Sequence, residues 1–122
     1  MEDLIAGDLK IQAIQRTPTI LELLWLGKSN ARNPTAVLSP YFSQVLTVAM
    51  EQKLTIELHF ERLEHFNSST ITAIIQLIQE ARSKAVKLTI TFDQGIKWQK
   101  LSFDALRVFS KGDGLLEFRP AS

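Results

Sequence analysis

The sequence contains no cysteine. That excludes disulfide scaffolds and thiolate zinc sites alike. Glycine is scarce, at 5 of 122 residues, and none falls in a G-x-G-x-x-G phosphate-binding loop. No apolar run approaches the ~20 residues that a membrane span requires. The start, MEDLIAGDLK, lacks a basic segment followed by an apolar one, so it does not read as a signal peptide. Neither sign of charge dominates, with 14 Lys and Arg against 13 Asp and Glu and a net charge of +1. The basic residues are scattered and form no stripe, which argues against nucleic acid as a partner. His59 and His65 have no third ligand at metal-site spacing. These absences set the expectation of a soluble, cytoplasmic protein with no membrane, metal or cofactor role.

What is present describes an ordinary globular protein. Hydrophobic residues make up 45% of the chain and charged residues 22%, enough apolar material for one core and too little charge for disorder. The 122 residues fit a single domain, 1–122, since domains commonly run to roughly 100–150 residues.

Residues 10–15 alternate through Ile11 and Ala13, with Ile14 breaking the phase, residues 19–25 are β-branched and aliphatic, and Thr17-Pro18 separates the two, predicting an N-terminal hairpin. Residues 27–34, GKSNARNP, predict a polar loop. Ser39-Pro40 offers an N-cap and a first-turn proline. Leu38, Tyr41, Phe42, Val45, Leu46 and Ala49 then share one helical face, with Asn33-Pro34 before them as a turn or an extra helical turn. Residues 54–60, LTIELHF, alternate as a strand does, and 61–67 form a connector. A second helix opens at Ser68-Ser69-Thr70 and carries Ile71, Ile74, Ile75 and Ile78 as its inward stripe. A strand at 87–92 follows, then a turn at 93–95. A weaker helix runs through Trp98, Leu101, Ala105 and Val108, and the chain ends with a turn at 111–114 and a strand at 115–119. This β-β-α-β-α-β-α-β order implies an α/β fold. Its sheet is mixed and mostly parallel, with the hairpin as an antiparallel edge and the helices mainly on one side.

The polar cluster Asn67-Ser68-Ser69-Thr70 sits where a central strand hands over to a helix, at the sheet edge where α/β proteins place their sites. Free N–H groups and the helix dipole favour negative charge there. A phosphoserine would be tolerated and would add nearly two negative charges to a docking surface. Simple capping accounts for the same residues, since Ser and Thr are favoured at helix starts. Catalysis has weaker support. His65 is near Ser68 and Ser69 in sequence, but no nucleophile elbow surrounds them. Glu57, Glu61 and Glu64 have the pattern of strand and loop surface charges, not of an acid/base pair. Trp25 and Trp98 are expected as core or interface anchors.

The stretch from residue 54 to residue 90 resembles the STAS core of bacterial anti-sigma-factor antagonists, in which a D-S-[ST]-G motif opens a helix after a strand and a short loop. Ser68 stands at the family's phosphorylated serine, Asn67 at the Asp position and Thr70 at the Gly position. Asn67-Ser68-Ser69-Thr70, together with Asn33-Pro34 and Pro40-Tyr41-Phe42, is also similar to the SiaC-type STAS-like regulators. The segment from Trp98-Gln99 through Ser102 to Leu106 resembles a cyanobacterial STAS-like group. The resemblance implies a signalling protein that is not an enzyme. Its phosphoacceptor would be Ser68, with Ser69 second, and its docking face Asn67, Ser68, Ser69, Thr70 and Thr72. The implied partners are a histidine-kinase-like serine kinase or anti-sigma factor, a PP2C-type phosphatase or a diguanylate cyclase. A constitutive protein-binding scaffold and a small-ligand carrier of the same fold stand as alternatives.

Overall fold

The computed structural model describes residues 1–121. A short β1 (Leu4–Ala6) leads into β2 (Leu9–Thr17) and β3 (Ile20–Ser29), a long hairpin that turns at Pro18-Thr19. α1 (Thr35–Gln52), β4 (Thr55–His59), β5 (Leu63–Phe66), α2 (Ser68–Ser83), β6 (Leu88–Phe92), α3 (Lys97–Leu106) and β7 (Leu116–Pro120) follow. The strands form one sheet in the order β1-β2-β3-β4-β6-β7, with β5 paired to β3. β1, β2 and β3 are antiparallel neighbours, and β3, β4, β6 and β7 run parallel. This is the mixed, mostly parallel sheet that the alternation of strands and helices predicts.

Alternation sets the two faces of the sheet. Leu21, Leu23 and Trp25 of β3, with Ile56 and Leu58 of β4 and Phe60 just after it, are fully buried on one face. There Trp25 meets Phe42 of α1, with ring centroids 6.0 Å apart. Phe60 meets Phe103 of α3 at 4.8 Å, and α2 packs beside α1. The other face carries Glu22, Leu24, Glu57 and His59, all half-buried.

The local differences from the sequence reading have physical causes. α1 begins at Thr35 with Pro34 as its cap, and Pro40 lies inside the helix. Pro40 removes one helical hydrogen bond, to the carbonyl of Ala36. Ala36 is exposed, so water can take that bond's place, and the apolar face from Leu38 to Ala49 is buried as its spacing predicts. β3 continues through Ser29, beyond its last pairing with β4 at Leu24–His59. Its far end therefore needs another partner, and β5 supplies it by pairing with Gly27, Lys28 and Ser29. The expected connector at 61–67 thus contains a strand. Gly27 has a φ of +82°, and a Cβ there would meet the Asp8 carbonyl oxygen.

In α2 the buried stripe is Thr70, Ala73, Ile74, Leu77, Ile78 and Ala81. Ile71 and Ile75 lie only partly buried at its margin, so the inward face is rotated from the expected set. Small Ala73 and Ala81 let α2 lie close to its neighbours and so define that face.

Candidate functional site

β5 delivers the chain to α2 with Phe66 as the last buried anchor. Its ring packs against Trp98 at 5.0 Å, Phe103 at 5.7 Å and Phe60 at 6.3 Å. The floor beneath the helix start is therefore a packed aromatic cluster. Gln99 secures it further. Its fully buried amide donates to the carbonyls of Phe60 at 2.8 Å and Leu63 at 3.2 Å, and accepts from the Asp93 N–H at 2.8 Å.

Asn67 is the N-cap of α2. Its Oδ1 accepts from the Thr70 N–H at 2.9 Å and from the Thr70 hydroxyl at 2.8 Å. Its Nδ2 donates to the Ala31 carbonyl at 2.8 Å, tying the β3–α1 loop to the site. The Asn67 N–H donates to the Ser29 carbonyl at 3.0 Å. Beneath it the Ser29 and Thr70 hydroxyls lie 2.7 Å apart. Thr70 spends its proton on Asn67, so Ser29 is the donor of that pair.

Thr70 is fully buried and faces the interior. Ser69 is half-buried, while Ser68 and Thr72 are exposed one turn apart, with the Thr72 hydroxyl donating to the Ser68 carbonyl at 3.3 Å. The Ser68 hydroxyl makes no hydrogen bond among the described residues. The five residues of the expected docking face are thus divided. Ser68 and Thr72 face solvent, Ser69 lies at the margin, and Asn67 and Thr70 hold the turn together.

A second polar cluster, which sequence spacing did not reveal, lies on the sheet face away from the helices. Register sets Glu22 beside Glu57 and His59 beside Thr91, so residues far apart in sequence converge. His59 Nε2 lies 3.1 Å from Glu57 Oε1 and 3.3 Å from Glu22 Oε1. His59 Nδ1 lies 2.8 Å from the Thr91 hydroxyl, which in turn donates to Glu61. Glu57 and Glu61, expected as surface charges, are half-buried here. Hydrogen bonding to Glu61 is the largest influence on His59; with the nearby carboxylates it outweighs burial and raises the imidazole above its ordinary range. Burial opposes ionisation of Glu61, yet hydrogen bonds from His59 and Thr91 hold its carboxyl below the usual value. His65 and Glu64 are exposed on β5. No helix of the described residues is long and apolar enough to cross a membrane.

No family model matches the chain, and no curated protein matches it. Solved structures do share its fold. The anti-sigma factor antagonist SpoIIAA in its unphosphorylated form superposes with a TM-score of 0.62 at 13% identity, over 91% of this chain and 89% of that one. The phosphorylated form of the Bacillus cell fate determinant SpoIIAA gives 0.57 at 15% identity, over 91% and 92%. A protein from Shewanella loihica with a SpoIIAA-like fold gives 0.57 at 11% identity, over 95% and 90%. The chain therefore has the STAS-like fold that its sequence resembles.

Proposed function

We propose that this STAS-like domain is a bacterial cytoplasmic protein-interaction switch of the anti-sigma-factor-antagonist type, controlled by phosphorylation of Ser68. The observation that carries the reading is the contrast within one turn of helix. The Ser68 hydroxyl is exposed and has no hydrogen bond among the described residues, while Asn67, Thr70 and Ser29 fix the turn around it. A kinase can reach such a hydroxyl without unfolding the helix. The γ-phosphoryl group of ATP passes to Ser68 Oγ, with ADP leaving and the hydroxyl proton released. The product dianion sits at a helix N-terminus, where free N–H groups and the dipole favour it.

The consequence falls on the partner. A contact built around a neutral hydroxyl must desolvate or pair the new charge. Candidate partners are a histidine-kinase-like serine kinase or anti-sigma factor, a PP2C-type phosphatase that resets the switch, and a diguanylate cyclase. A constitutive scaffold is the second reading. It is favoured by the Asn67–Thr70 cap, which closes without any charged group.

The test is phosphorylation with the purified kinase and ATP, followed by peptide mapping. One phosphate is expected on Ser68, and Ser68→Ala abolishes it. Ser68→Asp keeps the fold and weakens partner binding roughly ten- to a hundredfold, a loss of about 1–3 kcal/mol. A phosphate on Thr35 or Ser102, or none at all, removes the switch and leaves the scaffold. Tighter binding by Ser68→Asp reverses the direction of the switch.

A further inference from the structure

The open face of the sheet converges on one imidazole. β3 brings Glu22, β4 brings Glu57 and His59, and β6 brings Thr91, in a register fixed by backbone pairing. Thr91 decides where the proton of His59 resides. Its hydroxyl has a single proton to give, and the Glu61 carboxylate is a stronger acceptor than the Leu58 carbonyl, which lies 3.5 Å away. The Thr91 oxygen is therefore an acceptor toward His59 Nδ1, 2.8 Å away. The chain runs from His59 Nδ1–H to Thr91 to the Glu61 carboxylate. In the neutral ring it holds the proton on Nδ1 and leaves Nε2 facing two carboxylate oxygens.

In the doubly protonated ring Nε2–H donates to these carboxylates; once that proton is lost, a metal ion can take its place between the same three donor atoms. The spacing suits a metal ion. Bonds of about 2.0–2.2 Å from one ion to nitrogen and oxygen donors set neighbouring donors about 3.0–3.5 Å apart. The two measured separations from Nε2 are 3.1 and 3.3 Å, and the three donor atoms all lie within 4.8 Å of one another.

The remaining oxygens fit the same arrangement. Arg16 lies 3.1 Å from Glu22 Oε2, and Arg119 lies 3.8 Å from Glu57 Oε2. Each arginine therefore contacts the outer oxygen of its carboxylate and leaves Oε1 turned toward His59. Glu22 Oε2 is itself buried and, despite Arg16 beside it, makes no hydrogen bond among the described residues. A cleft of about 180 Å³, lined by Arg16, Glu22, Leu24, His59 and Glu61 among others, adjoins the triad and leaves room for water.

We propose that Glu22, Glu57 and His59 form a binding site for a divalent transition-metal ion of the Zn²⁺ class. Glu57 and His59 come from β4 and Glu22 from β3, so the ion cross-links two central strands. Thr91 and Glu61 orient the imidazole from behind, as outer partners do at histidine metal sites. The imidazole donor selects Zn²⁺, Co²⁺ or Ni²⁺ over Mg²⁺ and Ca²⁺, which prefer all-oxygen sets. This site is independent of Ser68, and either proposal can fail without the other.

The experiment is titration of the tag-free, chelator-stripped full chain with Zn²⁺ alone, by calorimetry and thermal shift, with Co²⁺ absorption as a spectroscopic readout. One equivalent is expected to bind with a dissociation constant on the order of micromolar or tighter, raising the melting temperature as any ligand of the native state does. His59→Gln and Glu57→Gln should each weaken binding at least about tenfold. His65→Gln, which alters the exposed histidine, should leave it unchanged. Circular dichroism of each metal-free variant checks that it remains folded. Should His59→Gln unfold the chain, nitrogen-15 ring shifts of the unaltered protein identify the bound nitrogen as His59 Nε2. Absence of binding at about 100 μM Zn²⁺, binding that survives His59→Gln in a folded protein, or ring shifts that move only for His65 overturns the proposal.

Discussion

The hydroxyls of Ser29 and Thr70 meet at 2.7 Å inside the protein, joining the end of β3 to the first turn of α2. Both residues are buried, at 2% and 0% exposure, so neither hydroxyl has water as an alternative partner. The pair explains how threonine fits where the resembling motif has glycine. The extra side chain points inward and takes up a polar neighbour from the adjacent strand.

Thr70→Val keeps the shape of that side chain and removes its oxygen. Ser29 is left with a buried donor, and Asn67 loses one of its two bonds from Thr70. Stranding a buried polar group costs about 1–3 kcal/mol. Urea denaturation should show a loss of that size with an unchanged slope, and Thr70→Ser should recover most of it. An unaltered midpoint for Thr70→Val would show that the Ser29–Thr70 bond contributes nothing.

Along α2, adjacent isoleucines should behave differently. Ile74 is fully buried, whereas Ile75 is only partly so. Ile74→Ala removes core packing and leaves a cavity, with a cost of about 2–5 kcal/mol. Ile75→Ala should lose less than half as much. Ile74→Asp, which buries a charge, should prevent folding, and Ile75→Asp should leave a folded but weakened protein. Thermal melts of the four variants check the order, and equal losses at the two positions would contradict the rotated stripe.

Features encoded in a single segment were legible in the sequence. The apolar face of α1 and the alternation through β4 depend on local periodicity, and the polar cluster at 67–70 locates the start of α2, though the cap is Asn67 and not one of the Ser or Thr residues that the sequence reading expects there. Features that depend on distant partners were not. β5 spans Leu63–Phe66 with a buried-exposed-exposed-buried pattern that carries no strand period, and it pairs because β3 outruns β4. The start of α1 was obscured because Ser39-Pro40 forms a strong local capping signal, while the actual cap, Pro34, makes no side-chain bond. The Glu22–Glu57–His59 cluster is complete only once register sets β3 beside β4; spacing along the chain places Glu57 and His59 on one strand face but gives no sign of Glu22.

Tyr41, the sole tyrosine, gives the fold a defined response to alkali. Its side chain lies on α1 with 6% exposure, and its hydroxyl donates to the Glu2 carbonyl at 2.8 Å. Burial, with a smaller contribution from the negative charge of Asp3, pushes its phenol from 10.0 up to about 12. The native state therefore holds the phenolic proton more tightly than the unfolded chain does. The resulting stability is fully present below pH 10, declines as the pH rises from there, and is lost once the pH passes about 12. A shift of this size corresponds to about 2–3 kcal/mol. Lysines also titrate in this range, so the informative quantity is the difference from Tyr41→Phe, which cannot ionise. Urea denaturation across the interval should show the natural protein losing more stability than Tyr41→Phe by that amount. Absorbance near 295 nm reports the single phenolate directly, and in the folded protein its rise should centre near pH 12. A titration centred at the ordinary tyrosine value, with parallel stability curves for the two proteins, would mean that the phenol is open to solvent and that the Glu2 contact does not hold the N-terminus against α1.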